Sequence, residues 1–143
     1  MNIKVKLNDG APLPKYANPG DAGMDLTSRE DVELKPFETR IVNTGVSVEI
    51  PMGYVGLLFP RSGLASKRGI TLAHAVGVID SGYRGEIKAP LFNITAEMNY
   101  VDRDERICQL VIVPYQYCNL VEVDELEETE RGDSGFGSSG YYA

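Results

Sequence analysis

Thr39-Arg-Ile-Val-Asn-Thr-Gly-Val-Ser-Val-Glu-Ile-Pro-Met-Gly-Tyr-Val-Gly-Leu-Leu-Phe59 is the stretch that decides the architecture. Val46, Val48 and Ile50 alternate with Ser47 and Glu49, the period of a half-buried strand. Pro51-Met-Gly53 is a turn. Tyr54–Phe59 follows as a second strand, continuously apolar and therefore expected to be buried on both faces. Short strands punctuated by turn residues predict an all-β sandwich, jelly roll or barrel.

The pattern continues on both sides. Asn2–Leu7 alternates Ile3, Val5 and Leu7 with polar neighbours. Gly10 to Gly23 reads as one long loop, leading to Asp25 at the start of an apolar strand. Asp31–Leu34, Ile70–Ile79 and Glu86–Ile94 read as strands, and Pro90 within the last predicts a sheet edge or a bulge. Asn99–Glu105 reads as a polar turn. Arg106–Val113 is the clearest strand in the chain, and Tyr117–Val123 reads as the last. The only helix signal lies in Pro60–Gly69, with Ser62 expected at the N-cap and Gly69 closing the end. The expectation is one all-β domain over 1–126 and a flexible glycine-rich tail over 127–143.

With 143 residues, 43% of them hydrophobic, the chain is long enough for a sizeable core. A net charge of −7 argues against nucleic acid as the main partner. No apolar run approaches the roughly 20 residues of a membrane span, so the expectation is no membrane and a cytoplasmic location. Cys108 and Cys118 match no zinc spacing and read as free buried thiols.

Four stretches are odd for a plain β-sandwich. Gly77-Val-Ile-Asp-Ser-Gly-Tyr-Arg-Gly85 delivers Asp80 and Tyr83 to a glycine-broken turn, where bare backbone admits a ligand closely. A plain surface turn would look much the same. Pro60–Gly69 gathers three cations and two serines at a helix start, a pattern suited to an anion. Gln109 interrupts an apolar strand and must find a polar partner. Arg131 and Phe136, in a tail of glycines and serines, are an anion binder and a stacking ring on backbone able to wrap a ligand. With Asp25, the set suits a nucleoside triphosphate: base to stack, sugar to sort, phosphates to clamp.

At this point the chain resembles the homotrimeric deoxyuridine triphosphatase (dUTPase) family over nearly its whole length. Ala22-Gly-Met-Asp-Leu26, Pro60-Arg-Ser-Gly-Leu-Ala65, Gly77–Gly85, Arg106-Ile-Cys-Gln-Leu110 and Arg131-Gly-Asp-Ser-Gly-Phe-Gly-Ser-Ser-Gly140 resemble that family's five motifs in order. The resemblance implies a β jelly roll, a jelly-roll barrel or sandwich over 1–126, that assembles as a trimer with sites at subunit boundaries. It implies hydrolysis of dUTP to dUMP and pyrophosphate with Mg²⁺, limiting dUTP and supplying dUMP for thymidylate synthesis. Asp80 would activate the attacking water, and Tyr83 would pack under the deoxyribose. The hairpin from His74 through Gly77, Val78 and Ile79 would read uracil. Arg61, Ser62, Gly63 and Gln109 would hold phosphates, and Asp25 would meet the hydrated metal or an arginine. Arg131 would reach the γ-phosphate while Phe136, with Gly137 and Ser138, closes over the base. His74 stands where some relatives carry asparagine, and Ser81-Gly82 where many carry a more acidic pair. The rivals are dCTP deaminase, whose glutamate shuttle aligns with Pro90 here, and a non-catalytic nucleotide-binding module of the same fold.

Overall fold

The computed structural model describes residues 1–136, 138 and 139. In chain order the described residues form β1 (Lys4–Leu7), β2 (Lys15–Tyr16), β3 (Met24–Thr27), β4 (Val32–Leu34), β5 (Thr39–Asn43), β6 (Val46–Glu49) and β7 (Tyr54–Pro60). These are followed by α1 (Ser62–Arg68), β8 (Ile70–Leu72), β9 (Gly77–Ile79), β10 (Lys88–Asn93), β11 (Asn99–Val101) and β12 (Arg106–Pro114). Four antiparallel sheets, ordered β1-β6, β5-β10-β8, β11-β4 and β2-β3-β12-β7-β9, make a jelly-roll-like sandwich with one short helix. Their inward faces share one core, in which Leu26, Leu34, Leu58, Ile70, Leu91 and Ile107 are fully buried. The alternation of Val46 and Val48 is real, and both are buried. Ser47 between them is buried as well, on a strand that pairs edge to edge with β1.

The largest sheet positions the chemistry. β12 lies between β3 and β7, and its register sets Gln109 beside both Asp25 and Phe59. β9 pairs with the far side of β7, placing Gly77 opposite Leu58.

Several local expectations are corrected. β7 is not buried on both faces: Gly56 and Leu58 are buried, whereas Val55, Leu57 and Phe59 are half-exposed, since one side of the strand lines open pockets. Arg61, not Ser62, is the N-cap of α1, and no side chain caps the helix. Gly69 does end it in the left-handed region, at φ 64°. Pro90 sits on the central strand of its sheet, because its missing N–H costs nothing there. Its carbonyl accepts from Ala73 N at 2.8 Å, so its nitrogen faces the same way, toward a β8 that has already ended at Leu72. The 10–23 loop contains the two-residue β2, and the polar 99–105 segment contains β11, both formed by pairing rather than propensity. Tyr117–Val123 is no strand: Tyr117 and Leu120 are more than 90% exposed and the segment pairs with none of the described strands. Both cysteines are free, but only Cys108 is buried.

Candidate active site

A cluster of charged and polar groups gathers on one face of the large sheet. Asp25 on β3 is mostly buried, and each of its carboxylate oxygens accepts from a different arginine. Arg61 Nε donates to Oδ1 at 3.0 Å, and Arg106 Nη1 donates to Oδ2 at 3.0 Å. Arg61 also donates to the carbonyl of Arg106 at 3.3 Å, so the two guanidiniums are tied into one fork. Gln109 solves its burial problem by donating to the carbonyl of Pro60 at 3.1 Å, which pins the entry to α1. Gly23 is bare for that reason: a Cβ there would fall on the carboxamide oxygen of Gln109. At the start of α1, Ser62 and Gly63 are exposed, and the backbone N–H groups of the first turn precede the first helical bond, from Ala65 N to Arg61 O. Asp25, Arg61, Ser62, Gly63, Arg106 and Gln109 line one cavity of about 390 Å³. Two cations, a hydroxyl and free amide donors give it groups suited to an anion, beside the carboxylates of Asp21 and Asp25.

Arg106 is the member that sequence reasoning left without a role. Its signal was a cation at the head of an apolar strand, but its pairing with Asp25 across a β-bulge becomes visible only in register.

The glycine-broken turn lines a separate space. His74, Gly77, Val78, Ile79, Asp80 and Tyr83 line a second cavity of about 280 Å³. The His74 ring covers Gly77, whose Cβ would stand 2.9 Å from Nε2, so this glycine is where the imidazole reaches the hairpin backbone. Asp80 is exposed at the end of β9, and its carbonyl accepts from Tyr83 N at 3.0 Å to close the turn. The Tyr83 ring lies flat over bare Gly85, and its hydroxyl donates to the carbonyl of Glu86 at 2.9 Å. The ring is thereby fixed as a wall.

The two cavities open on opposite sides of β7, with Phe59 lining the first and Leu58 the second. A single chain therefore does not bring the Asp25–Arg61–Arg106 cluster and the Asp80–Tyr83 turn into one cavity. Nor does it bring in the tail. Arg131 donates to its own neighbour Ser134, Phe136 is fully exposed, Ser138 closes a turn on Gly135, and the hydrogen bonds of the described tail residues are all internal. Gly137 lies outside the described residues.

Among the described residues no three His, Cys, Asp or Glu side chains converge as a metal site. Both oxygens of Asp25 are occupied by arginines. This donor set offers Mg²⁺ no protein cage and fits only an ion held by phosphates and water, which is how Mg²⁺ is often bound.

A jelly-roll-like sandwich with an arginine fork on one side of a strand and an aspartate–tyrosine turn on the other defines a nucleotide-handling β protein. The dUTPase family profile matches residues 9–140. The deoxyuridine 5'-triphosphate nucleotidohydrolase of Thermobifida fusca is 49% identical over 139 residues, covering 96% of this chain and 78% of that protein. Its counterpart in Finegoldia magna is 45% identical over 143 residues, covering 99% and 100%. Among solved structures, the Staphylococcus bacteriophage 80alpha dUTPase with dUPNHPP superposes with a TM-score of 0.91 at 36% identity, covering 98% of this chain and 99% of that one. The chain belongs to the dUTPase family.

Proposed function

We propose that this protein is a dUTP diphosphatase, hydrolysing dUTP to dUMP and pyrophosphate in the cytoplasm, with dUMP available for thymidylate synthesis. The observation that carries the reading is the pairing of a two-arginine anion pocket with a separate turn bearing Asp80 and Tyr83, on a chain of this family.

In the proposed mechanism, Asp80 accepts the proton of a water aligned for in-line attack on the α-phosphorus. Pyrophosphate leaves as the new oxygen–phosphorus bond forms. Arg61, Arg106, the Ser62 hydroxyl, the Gly63 amide and Gln109 hold phosphate oxygens whose charge rises in the transition state. Asp25 holds the two guanidiniums in place, one on each carboxylate oxygen, and would meet a metal only through its hydration water. Mg²⁺ bound to the triphosphate supplies charge neutralisation. Backbone of Gly77, Val78 and Ile79, with His74 beside it, reads uracil, and the fixed ring of Tyr83 leaves no room for a 2′-hydroxyl.

A single chain exposes these parts on opposite sides of β7, which supports a site completed by neighbouring copies in a homotrimer. The 127–143 tail, with Arg131 and Phe136, would act there in trans and carry its contacts past the jelly-roll body. The reading is tested by incubating purified protein with dUTP and Mg²⁺ and separating the products. Formation of dUMP and pyrophosphate is expected, and UTP and dCTP should be poor substrates. Release of dUTP or deamination of dCTP would point to the deaminase, which is disfavoured because Pro90 carries no proton shuttle.

A further inference from the structure

Arg84 follows Tyr83 directly, yet it does not line the cavity that holds Asp80 and Tyr83. Its guanidinium turns back over the outside of the turn. Nη1 donates to the carbonyl of Ser81 at 2.6 Å and to that of Tyr83 at 2.9 Å. Both carbonyls belong to the segment that presents the aspartate and the ring, and the turn carries only one backbone bond of its own, Tyr83 N to Asp80 O. The opposite end of the segment is tied by the tyrosine hydroxyl to Glu86. On its outer side the guanidinium shares a surface cavity with Lys4 and Glu49. The Glu49 carboxyl is held below its usual range, chiefly by its hydrogen bond and charge contact with Lys4 and further by the charge of Arg84. That places Arg84 between a carboxylate on β6 and two open carbonyls of the turn.

Neutral glycine-broken turns have soft backbones: Gly82 and Gly85 add freedom on either side of Tyr83. Nη1 of a guanidinium carries two N–H donors held in a rigid plane, so this one nitrogen can fix both carbonyls at once, which a flexible ammonium does less well. We propose that Arg84 is a positioning residue that braces the 80–86 turn from behind, holding Asp80 and the Tyr83 ring in their working geometry without touching the nucleotide. This rests on the dUTP hydrolysis proposed above. It predicts that one residue outside the cavity governs both water activation and sugar discrimination, because both groups sit on the segment it clamps.

The test is steady-state kinetics of Arg84→Ala, Arg84→Gln and Arg84→Lys with dUTP and UTP, together with thermal melting of each protein. Misplacement of a catalytic group by about 1 Å costs on the order of 10²-fold. Arg84→Ala should therefore lower kcat for dUTP by about 10–10²-fold and narrow the dUTP/UTP ratio of kcat/KM by a similar factor, while its melting temperature stays near that of the wild type. Arg84→Lys should recover part of both effects and Arg84→Gln less. Loss of kcat with an unchanged dUTP/UTP ratio would overturn the proposal. So would wild-type kinetics in Arg84→Ala, or losses that track melting temperature across the three variants. Should Arg84→Ala fail to fold, the ordering of the lysine and glutamine variants against the wild type decides. Failure of the underlying reading would show differently, as a wild-type protein that does not turn over dUTP at all.

Discussion

Leu58 and Phe59 are neighbours on β7 and open onto different cavities, Leu58 with Asp80 and Tyr83 and Phe59 with Asp25 and Arg61. Side chains of successive strand residues point to opposite faces, so no rotamer change can bring the two halves together. The division is built into the sheet, and it organises the expectations below.

Asp80 ends β9 and is exposed to the cavity, the placement that a water-activating carboxylate requires. Asp80→Asn keeps the shape but cannot accept the proton. Its kcat should fall by about 10²–10⁴-fold while a non-hydrolysable dUTP analogue binds as before. Near wild-type turnover in this variant would remove Asp80 from the mechanism.

Asp25 receives Arg61 and Arg106 on its two oxygens, each at 3.0 Å. Charge-assisted hydrogen bonds of this kind are directional, so Asp25→Asn should loosen the fork more than it unfolds the protein. The expected result is a KM for dUTP raised about tenfold or more, with Arg106→Ala giving a similar rise and the double variant little beyond either single one. Full additivity of the two in kcat/KM would show that they act independently.

Cys108 is buried in β12, and burial, aided by the charge of Asp25 and opposed by Arg61, pushes its thiol from 9.0 up to about 12. An unfolded chain releases this proton near pH 9, whereas the folded chain keeps it until about pH 12. The folded state therefore binds more protons in that window, and stability falls as pH rises through it. Between pH 8 and 10.5 the wild type should lose about 2 kcal/mol more than Cys108→Val, as read by urea unfolding of both proteins. At pH 8, iodoacetamide should label exposed Cys118 in the native protein and leave Cys108 untouched until denaturant is added.

What could be read from the sequence follows from what each signal encodes. Alternation at Val46, Val48 and Ile50 and the apolar run of Arg106–Val113 report burial directly, so these strands were legible. Tyr117–Val123 alternates Val121 and Val123 with a polar residue in the same way, but a strand exists only by pairing, and the segment pairs with none of the described strands. β11 failed in the opposite sense: Asn99–Val101 is too short and polar to announce itself and is made by its partner β4. Pro90 misled because the cost of a missing N–H depends on where β8 ends, a tertiary fact. Individual site residues were legible as chemical oddities, among them Gln109 in an apolar strand and Asp80 in a glycine-rich turn. Their separation into two cavities was not, because the parity of Leu58 and Phe59 gains meaning only once β7 is placed between β12 and β9.

The tail makes the last and sharpest case. Residues 127–136 leave the sandwich beyond Leu126, which is itself exposed, and the bonds of Arg131 and Ser134 are to each other. Deleting 130–143 removes no buried side chain among the described residues, so thermal stability should hardly change. Activity should nevertheless fall severely if Arg131 and Phe136 complete a neighbouring copy's site. The tail-deleted chain keeps an intact Asp80, whereas Asp80→Asn keeps an intact tail. If tail and aspartate serve one site from different copies, neither parent has a complete site, but mixed trimers do. Each parent alone should be nearly inactive, and activity should return after subunit exchange, in proportion to the fraction of mixed assemblies. Light scattering of the wild type should give a mass close to three chains. A monomer, or exchange demonstrated by differently tagged chains with no return of turnover, would establish that each chain builds its site alone.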